Sequence, residues 1–299
     1  MRLGIALDNF TLPGTAINIK SLIEKAKLAD SLGFESIWFW DHLLLGSKAI
    51  YPILEPMALI SNVAASTNKI KLGALYLFGL RDPLVLGKLI STVSYLSGDR
   101  LLLGAVAGWY KREFDAVGVD FNSRGKTLSK NVKLVKTFLQ SQDISDSLKN
   151  YSHITIEPRP SKKVPILMGG YMENALKRVS RISDGWISYY FTPEDFRWGL
   201  EIMKKYNKNA SVLDNTDMVP VYVGNEGKEK VIKFTEEFMD LPTWSRCNVN
   251  SGIWGTIERI IERIIEYRNA GVKRLVFIPA YYEKEQIEIL GKMVLPKIQ

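Results

Sequence analysis

One cysteine, Cys247, and two histidines, His42 and His153, are all that 299 residues contain of either type. A lone cysteine precludes an intrachain disulfide. So few thiols and imidazoles also leave no His/Cys cluster for a metallohydrolase, and no metal is expected. No apolar run is long enough to span a bilayer, and the N-terminal MRLGIALDNF is strand-like rather than a charged region followed by a long apolar core. The expectation is a cytoplasmic protein that works away from membranes. Short-period repeats and low-complexity segments are missing too. What remains is ordinary: 46% hydrophobic and 24% charged residues, too apolar for a disordered chain and enough to bury a large core. The formal charge of +8 invites a nucleic-acid reading. However, Lys126, Lys130, Lys133 and Lys136 run along a helix whose other face is Leu128, Val132, Leu134, Val135 and Leu139, and a solvated helix face accounts for them without a nucleic-acid partner. The excess charge is still able to steer an anionic cofactor.

The stretch from Pro165 to Trp186 organises the rest. Ile166, Leu167 and Met168 form an apolar run without alternation, as in a parallel strand covered on both faces. Gly169 and Gly170 break it. Beyond them Ala175, Leu176, Val179 and Ile182 recur at helical spacing, with Lys177, Arg178 and Arg181 on the other side. Backbone N–H groups of Gly169 to Met172 therefore sit at a strand-to-helix turn where a ligand phosphate can approach closely and meet the helix dipole. Taken alone, the pair favours a plainer reading, a tight turn that needs only permissive glycines, because a glycine pair is a weak motif.

The chain alternates throughout. Strands are predicted at Arg2 to Leu7, Ser36 to Trp40, Ile70 to Leu75, Arg100 to Ala107, Ile166 to Met168, Gly185 to Tyr189, Met218 to Val223 and Arg274 to Pro279, each followed by a helical pattern. Helix starts are marked by Pro56, Asp82-Pro83, Ser123, Thr192-Pro193-Glu194 and Thr256, and stops by Gly33 and Gly271. Ser141 to Pro160 reads as polar with one alternating segment from His153 to Ile156, and Leu241 to Gly255 as irregular. Eight units favour an α/β fold of the (β/α)8 TIM barrel type, a single domain over 1–299, above an open doubly wound sheet. The active site is then expected where strands end: Asp41-His42, Leu75-Tyr76, Ala107 to Trp109, Gly169-Gly170, Tyr189-Tyr190 and the turn near Pro279.

Four segments, LGFESIWFWDHL, EPMALISNVAASTNKIKLG, LSGDRLLLGAVAGWYKREFDAVGVDFNSRG and PILMGGYMENALKRVSRISDGW, with the closing GTIERIIERIIEYRNAGVKRLVF, resemble the bacterial luciferase-like superfamily in order and over most of the chain. Val106-Ala107-Gly108-Trp109 is most similar to the branch that uses the deazaflavin coenzyme F420, the methylenetetrahydromethanopterin reductase-like oxidoreductases. The resemblance implies a barrel that holds F420, or alternatively FMN, with the ring at its mouth. Gly169 and Gly170 match the phosphate-binding glycine pair. Asp41 and His42 match the acidic-His pair at the end of strand two, where Asp41 would accept from a ring N–H or orient His42, and His42 would pass a proton as hydride moves. Gly73 to Tyr76 matches a place where a bulge with a non-prolyl cis peptide backs the ring. The implied catalytic residues are His42 and Asp41; the implied cofactor contacts are Asp41, Leu75, Tyr76, Ala107, Gly108, Trp109, Gly169, Gly170 and Tyr171. Trp40, Tyr189 and Tyr190 are candidate walls for the ring or a substrate.

This chain departs from the pattern twice. Luciferases carry a phosphate-binding arginine where Ala107 stands, and sugar-phosphate dehydrogenases a glutamate where Trp109 stands, which weakens the case for a carboxylate acid there and for a sugar-phosphate substrate. The leading expectation is F420-dependent hydride transfer with a small organic substrate. The alternatives are an FMN-dependent monooxygenase that uses oxygen and a flavin-binding protein without turnover. Family habit adds a homodimer. Loops such as Leu43 to Leu54 and Leu241 to Gly255 would set the substrate.

Overall fold

A computed structural model of the chain describes residues 1–46, 49–140, 154–238 and 248–298. The sequence predicts a helix over Lys228 to Met239, and its last residue lies, with Cys247 and His153, outside the described residues. The strands are β1 (Arg2–Ala6), β2 (Ser36–Trp40), β3 (Lys71–Leu77), β4 (Leu101–Val106), β5 (Ile166–Gly169), β6 (Trp186–Tyr189), β7 (Thr216–Val223), β8 (Ile253–Gly255) and β9 (Arg274–Pro279). All pairings between them are parallel. β1 to β6 follow one another around the sheet, β6 pairs with β7, and β7 pairs with β9, which returns to β1 with Arg2 beside Arg274. Eight staves close the predicted barrel. β8 is a ninth, three-residue strand attached to the last residues of β7, Val221 to Val223, and it ends the stretch read as irregular. Three residues carry too little periodicity to register in the sequence.

The helices follow: α1 (Ile19–Leu32), α2 (Pro56–Ser66), α3 (Pro83–Leu96), α4 (Lys111–Ala116), α5 (Arg124–Gln140), α6 (Glu173–Ile182), α7 (Pro193–Lys204), α8 (Gly227–Phe238), α9 (Ile257–Asn269) and α10 (Lys284–Ile289), which runs on through a π turn to Ile298. Several expected ends hold. Gly33 closes α1 in the left-handed region, Asp82 accepts from Leu84 and Val85 N–H, and Thr192 caps α7 in a reciprocal box whose acid is Asp195. Ser123 does not cap α5. Asp120 accepts from Asn122 and Ser123 N–H and starts a 3-10 turn that leads into that helix, because its carboxylate reaches two N–H groups where a hydroxyl reaches one.

Strand alternation sorts the core into two layers. Leu3, Ile5, Ile37, Phe39, Leu72, Ala74, Leu103 and Phe277 face the helices. Ala6, Trp38, Leu102, Leu167, Met218 and Val276 fill the barrel. Trp38 is its central plug, fully buried, and a Cβ on Gly73 would lie 2.5 Å from the indole. The lower barrel is thus packed solid, and a ligand finds room only at the strand C-termini. No described helix is long and apolar enough to cross a membrane.

Candidate active site

At that end a cavity of about 500 Å³ opens, within the usual size of a small-molecule site. Asp41, His42, Leu75, Ala107, Gly108, Trp109, Gly169, Gly170 and Tyr171 all line it. Tyr76 does not. Leu75 and Leu77 point inward on β3, so Tyr76 points outward, where its hydroxyl donates to Glu55 at 2.8 Å and its ring stacks under Arg81. Leu77 takes its place on the wall. Tyr190 is buried away from the cavity at φ +58°, whereas Trp40 and Tyr189 reach it. Gly73 to Tyr76, the place where the resemblance left a cis peptide open, has none: β3 keeps regular register from Leu72 to Leu77, and the cis bond among the described residues is Glu157–Pro158.

Asp41 and His42 are adjacent in sequence but separately held. Arg81 grips Asp41 with two hydrogen bonds, 2.6 and 2.8 Å, and Leu77 N–H donates to the same carboxylate at 2.8 Å. Burial pushes the Asp41 carboxyl above its ordinary value, against the pull of the guanidinium. Asp41 therefore does not orient His42. That role falls to Glu113, a fully buried residue at the start of α4 that the sequence reading missed. Its Oε2 lies 3.0 Å from His42 Nδ1, and its Oε1 accepts from the backbone N–H of Leu43 at 2.6 Å and Leu44 at 3.1 Å. With Nδ1 committed, Nε2 is the ring nitrogen left for a ligand. Trp109 meets the His42 ring edge to face at 5.8 Å, and Tyr110 donates to the Gly46 carbonyl at 3.1 Å, so the turn after β4 fixes both imidazole and loop. Gly108 makes that turn at φ +79°.

The glycine pair forms the strand-to-helix turn and lines the cavity. Gly170 sits at φ +150°, a Cβ there would lie 2.4 Å from the Ala175 Cβ, and its carbonyl accepts from Trp186 Nε1 at 2.8 Å. The turn is tight, and it also lines the cavity beside an α6 start whose N-cap, Met172, offers no side-chain acceptor to the first N–H groups. Two cations were missed. Arg178 was placed on the polar side of α6, but one turn after Asn174 it faces the cavity, while Lys177 and Arg181 stack over Tyr206. Arg124 opens α5, stacked 3.9 Å over Phe121. Neither forms an ion pair with the described residues, and Arg178 Nε is buried with no acceptor among them. Burial, then the like charge of Arg124, lowers the Arg178 pKa from its ordinary value. The bare backbone of Gly125 lets the guanidinium pack against it, at 3.1 Å from where a Cβ would stand.

A protein-family model, luciferase-like monooxygenase, matches residues 1–229. The chain belongs to that family. Luciferase-like members among its relatives include an FMNH2-dependent dimethylsulfone monooxygenase of Pseudomonas fluorescens, 22% identical over 92% of this chain and 85% of that protein. An F420-dependent glucose-6-phosphate dehydrogenase of Amycolatopsis mediterranei is 23% identical over 94% and 95%. In fold the chain is similar to an F420-dependent secondary alcohol dehydrogenase solved with an F420-acetone adduct, with a TM-score of 0.85 at 14% identity, covering 100% of this chain and 99% of that one. The protein is an oxidoreductase of the luciferase-like family, and a flavin or deazaflavin is its class of cofactor. The site fits such a group: Arg124 and Arg178 both line the cavity, feel each other's charge and have no carboxylate partner among the described residues, so a phosphate ester there would meet two guanidiniums.

Proposed function

We propose that this chain, acting over 1–299 as one barrel domain, is an F420-dependent oxidoreductase that exchanges a hydride with a small organic substrate. The observation that carries the reading is His42. Glu113 fixes its Nδ1 and leaves Nε2 at the cavity, the arrangement needed to take the hydroxyl proton of an alcohol as it becomes a carbonyl, or to return it in the reverse direction. When bound, the deazaflavin supplies the hydride acceptor or donor. Gly169, Gly170, Arg124 and Arg178 would hold its phosphate, and Arg124 and Arg178 replace the cation lost at Ala107. Asp41, kept rigid by Arg81, closes the wall next to His42. Leu75, Leu77, Val106 and Ile187 exclude water from the reacting centre.

The extensive similarity to an FMNH2-dependent monooxygenase supports a second reading, FMN with oxygen. Fluorescence titration of the purified protein with each cofactor, followed by oxygen uptake under reducing conditions, separates the two. Tight FMN binding with none for F420 would remove the leading reading. Binding of either cofactor without turnover would leave a carrier protein.

We infer further that the protein is a cytoplasmic homodimer. A single cysteine suits the reducing cytoplasm. Val85 and Leu96, about three turns apart on one face of α3, are 66% and 59% exposed with Tyr95 beside them at 65%, which supports a homodimer through that helix. Light scattering during size exclusion tests this, and a monomer at micromolar concentration contradicts it.

A further inference from the structure

The chain has eight methionines, and the fold exposes them unequally. Met57, Met168, Met203 and Met218 are fully buried, whereas Met172 is 61% exposed and lines the cavity with Gly170, Asn174 and Arg178. Met293, 46% exposed, sits in the π turn near the C-terminus and does not line the cavity. A thioether oxidises according to its exposure, so Met172 is the methionine of the site that an oxidant meets first.

What an oxygen on that sulfur would do is set by the start of α6. Met172 is the N-cap, in extended backbone at φ −80° and ψ 150°, and its carbonyl accepts from Ala175 and Leu176 N–H. The N–H groups of Glu173 and Asn174 have no acceptor among the described residues. Elsewhere in the chain a long side chain closes such a start. Glu55, the N-cap of α2, is also extended, at φ −62° and ψ 121°, and its Oε2 accepts from Ala58 N–H at 2.7 Å. A sulfoxide oxygen on Met172 Sδ would stand as many bonds from Cα as Glu55 Oε2 does. It therefore has the same reach, and it is a polar acceptor where a thioether is a weak one.

We propose that Met172 is a modification site at which hydrogen peroxide loosens the protein's hold on its cofactor. The sulfur gives an electron pair to one peroxide oxygen, the S–O bond forms as the O–O bond breaks, and the second oxygen leaves as water. The sulfoxide oxygen then caps α6. It occupies open N–H groups and sets partial negative charge where a phosphate would bind. Cofactor affinity falls while the helix start gains a hydrogen bond. The inference rests on the reading of this turn as the holder of the cofactor phosphate, and adds a redox control to that site.

Graded peroxide treatment of the full-length protein tests it, each sample being divided among peptide mass spectrometry, fluorescence titration with F420 and with FMN, and a thermal melt without cofactor. Sulfoxide is expected at Met172 ahead of Met57, Met168, Met203 and Met218. The Kd of the cofactor that binds should rise with the oxidised fraction of Met172, to about fivefold or more, the worth of one capping bond, with no fall in Tm. Methionine sulfoxide reductases for both epimers should restore it. Met172→Leu should show the same Kd before and after peroxide. Complete oxidation of Met172 with an unchanged Kd, an equal peroxide effect in Met172→Leu, or a Tm that falls together with affinity overturns the proposal. In each of those outcomes the untreated protein still binds its cofactor, so this inference fails alone. An untreated protein that binds neither cofactor overturns the cofactor reading, and the proposal with it.

Discussion

Arg81 and Glu113 divide between them the two neighbouring side chains of Asp41 and His42, and the division determines what each can do. Asp41, held at two oxygens by three donors, is a fixed wall; His42, held at one nitrogen, keeps the other for chemistry. His42→Gln is expected to lower kcat by about 10²-fold or more with the cofactor Kd unchanged. Glu113→Gln should lower kcat less, alter the pH profile of kcat, and leave cofactor titrations as they were; a Glu113→Gln enzyme with an unaltered pH profile would make Glu113 merely structural. At the other end of the cavity, Arg178→Gln should weaken cofactor binding by about tenfold or more, since hydrogen bonds to charged groups are worth about 1.5–3 kcal/mol. The same titration at rising salt should show a shallower slope for the variant. Asp41 and His42 were legible as a pair because they close a strand. Glu113 was not, because a glutamate four residues past a turn reads as ordinary helix surface until the fold folds it inward.

The turn between β5 and α6 shows how an element carries two constraints at once. Gly170→Ala places a methyl on the Ala175 methyl at a backbone angle that L-residues resist, so a loss of about 1–3 kcal/mol is expected in urea unfolding, with weakened cofactor binding as the start of α6 shifts. Thr192→Ala, which removes one half of the α7 box, should cost about 1 kcal/mol by the same measurement and leave binding alone, because Thr192 does not line the cavity. Most elements were legible from apolar periodicity and caps, with strand ends displaced by one or two residues, as at β3. The facing of Arg178 was not. On a helix with apolar residues at Ala175, Leu176, Val179 and Ile182, the boundary position next to Asn174 belongs to whichever neighbour the sheet brings against it.

The barrel as a whole is tied at its floor, opposite the cavity. Arg274, fully buried at the start of β9, donates to Glu35 at 2.7 and 2.9 Å and to Asp214 at 3.0 and 3.1 Å, Arg2 also pairs with Asp214, and Lys71 joins Glu35. These side chains stitch β1, β2, β3, β7 and β9 where the sheet must close. Burial alone would raise the Glu35 carboxyl, but the hydrogen bonds and charge of Arg274, with Ser36 and Lys71, hold it down at about 2 against an ordinary 4.5. A depressed carboxylate stabilises the fold fully above its unfolded value, and that stabilisation is lost as pH falls from about 4.5 toward 2. Thermal melts should therefore decline through this window. Glu35→Gln, which leaves Arg274 partly unpaired in the interior, should lose about 3 kcal/mol at neutral pH and show a flatter acid response.

The sequence by itself determined the alternation of eight strands and their helices, the barrel that follows, the glycine turn and the neighbourhood of Asp41, Trp109 and Gly170, because each depends on spacing within a few residues. Only the tertiary structure decided which side chains meet across that cup. Arg81 with Asp41, Glu113 with His42, and Arg124 with Arg178 are contacts between distant segments, and their partners are chosen by strand register and helix rotation, which no local pattern encodes.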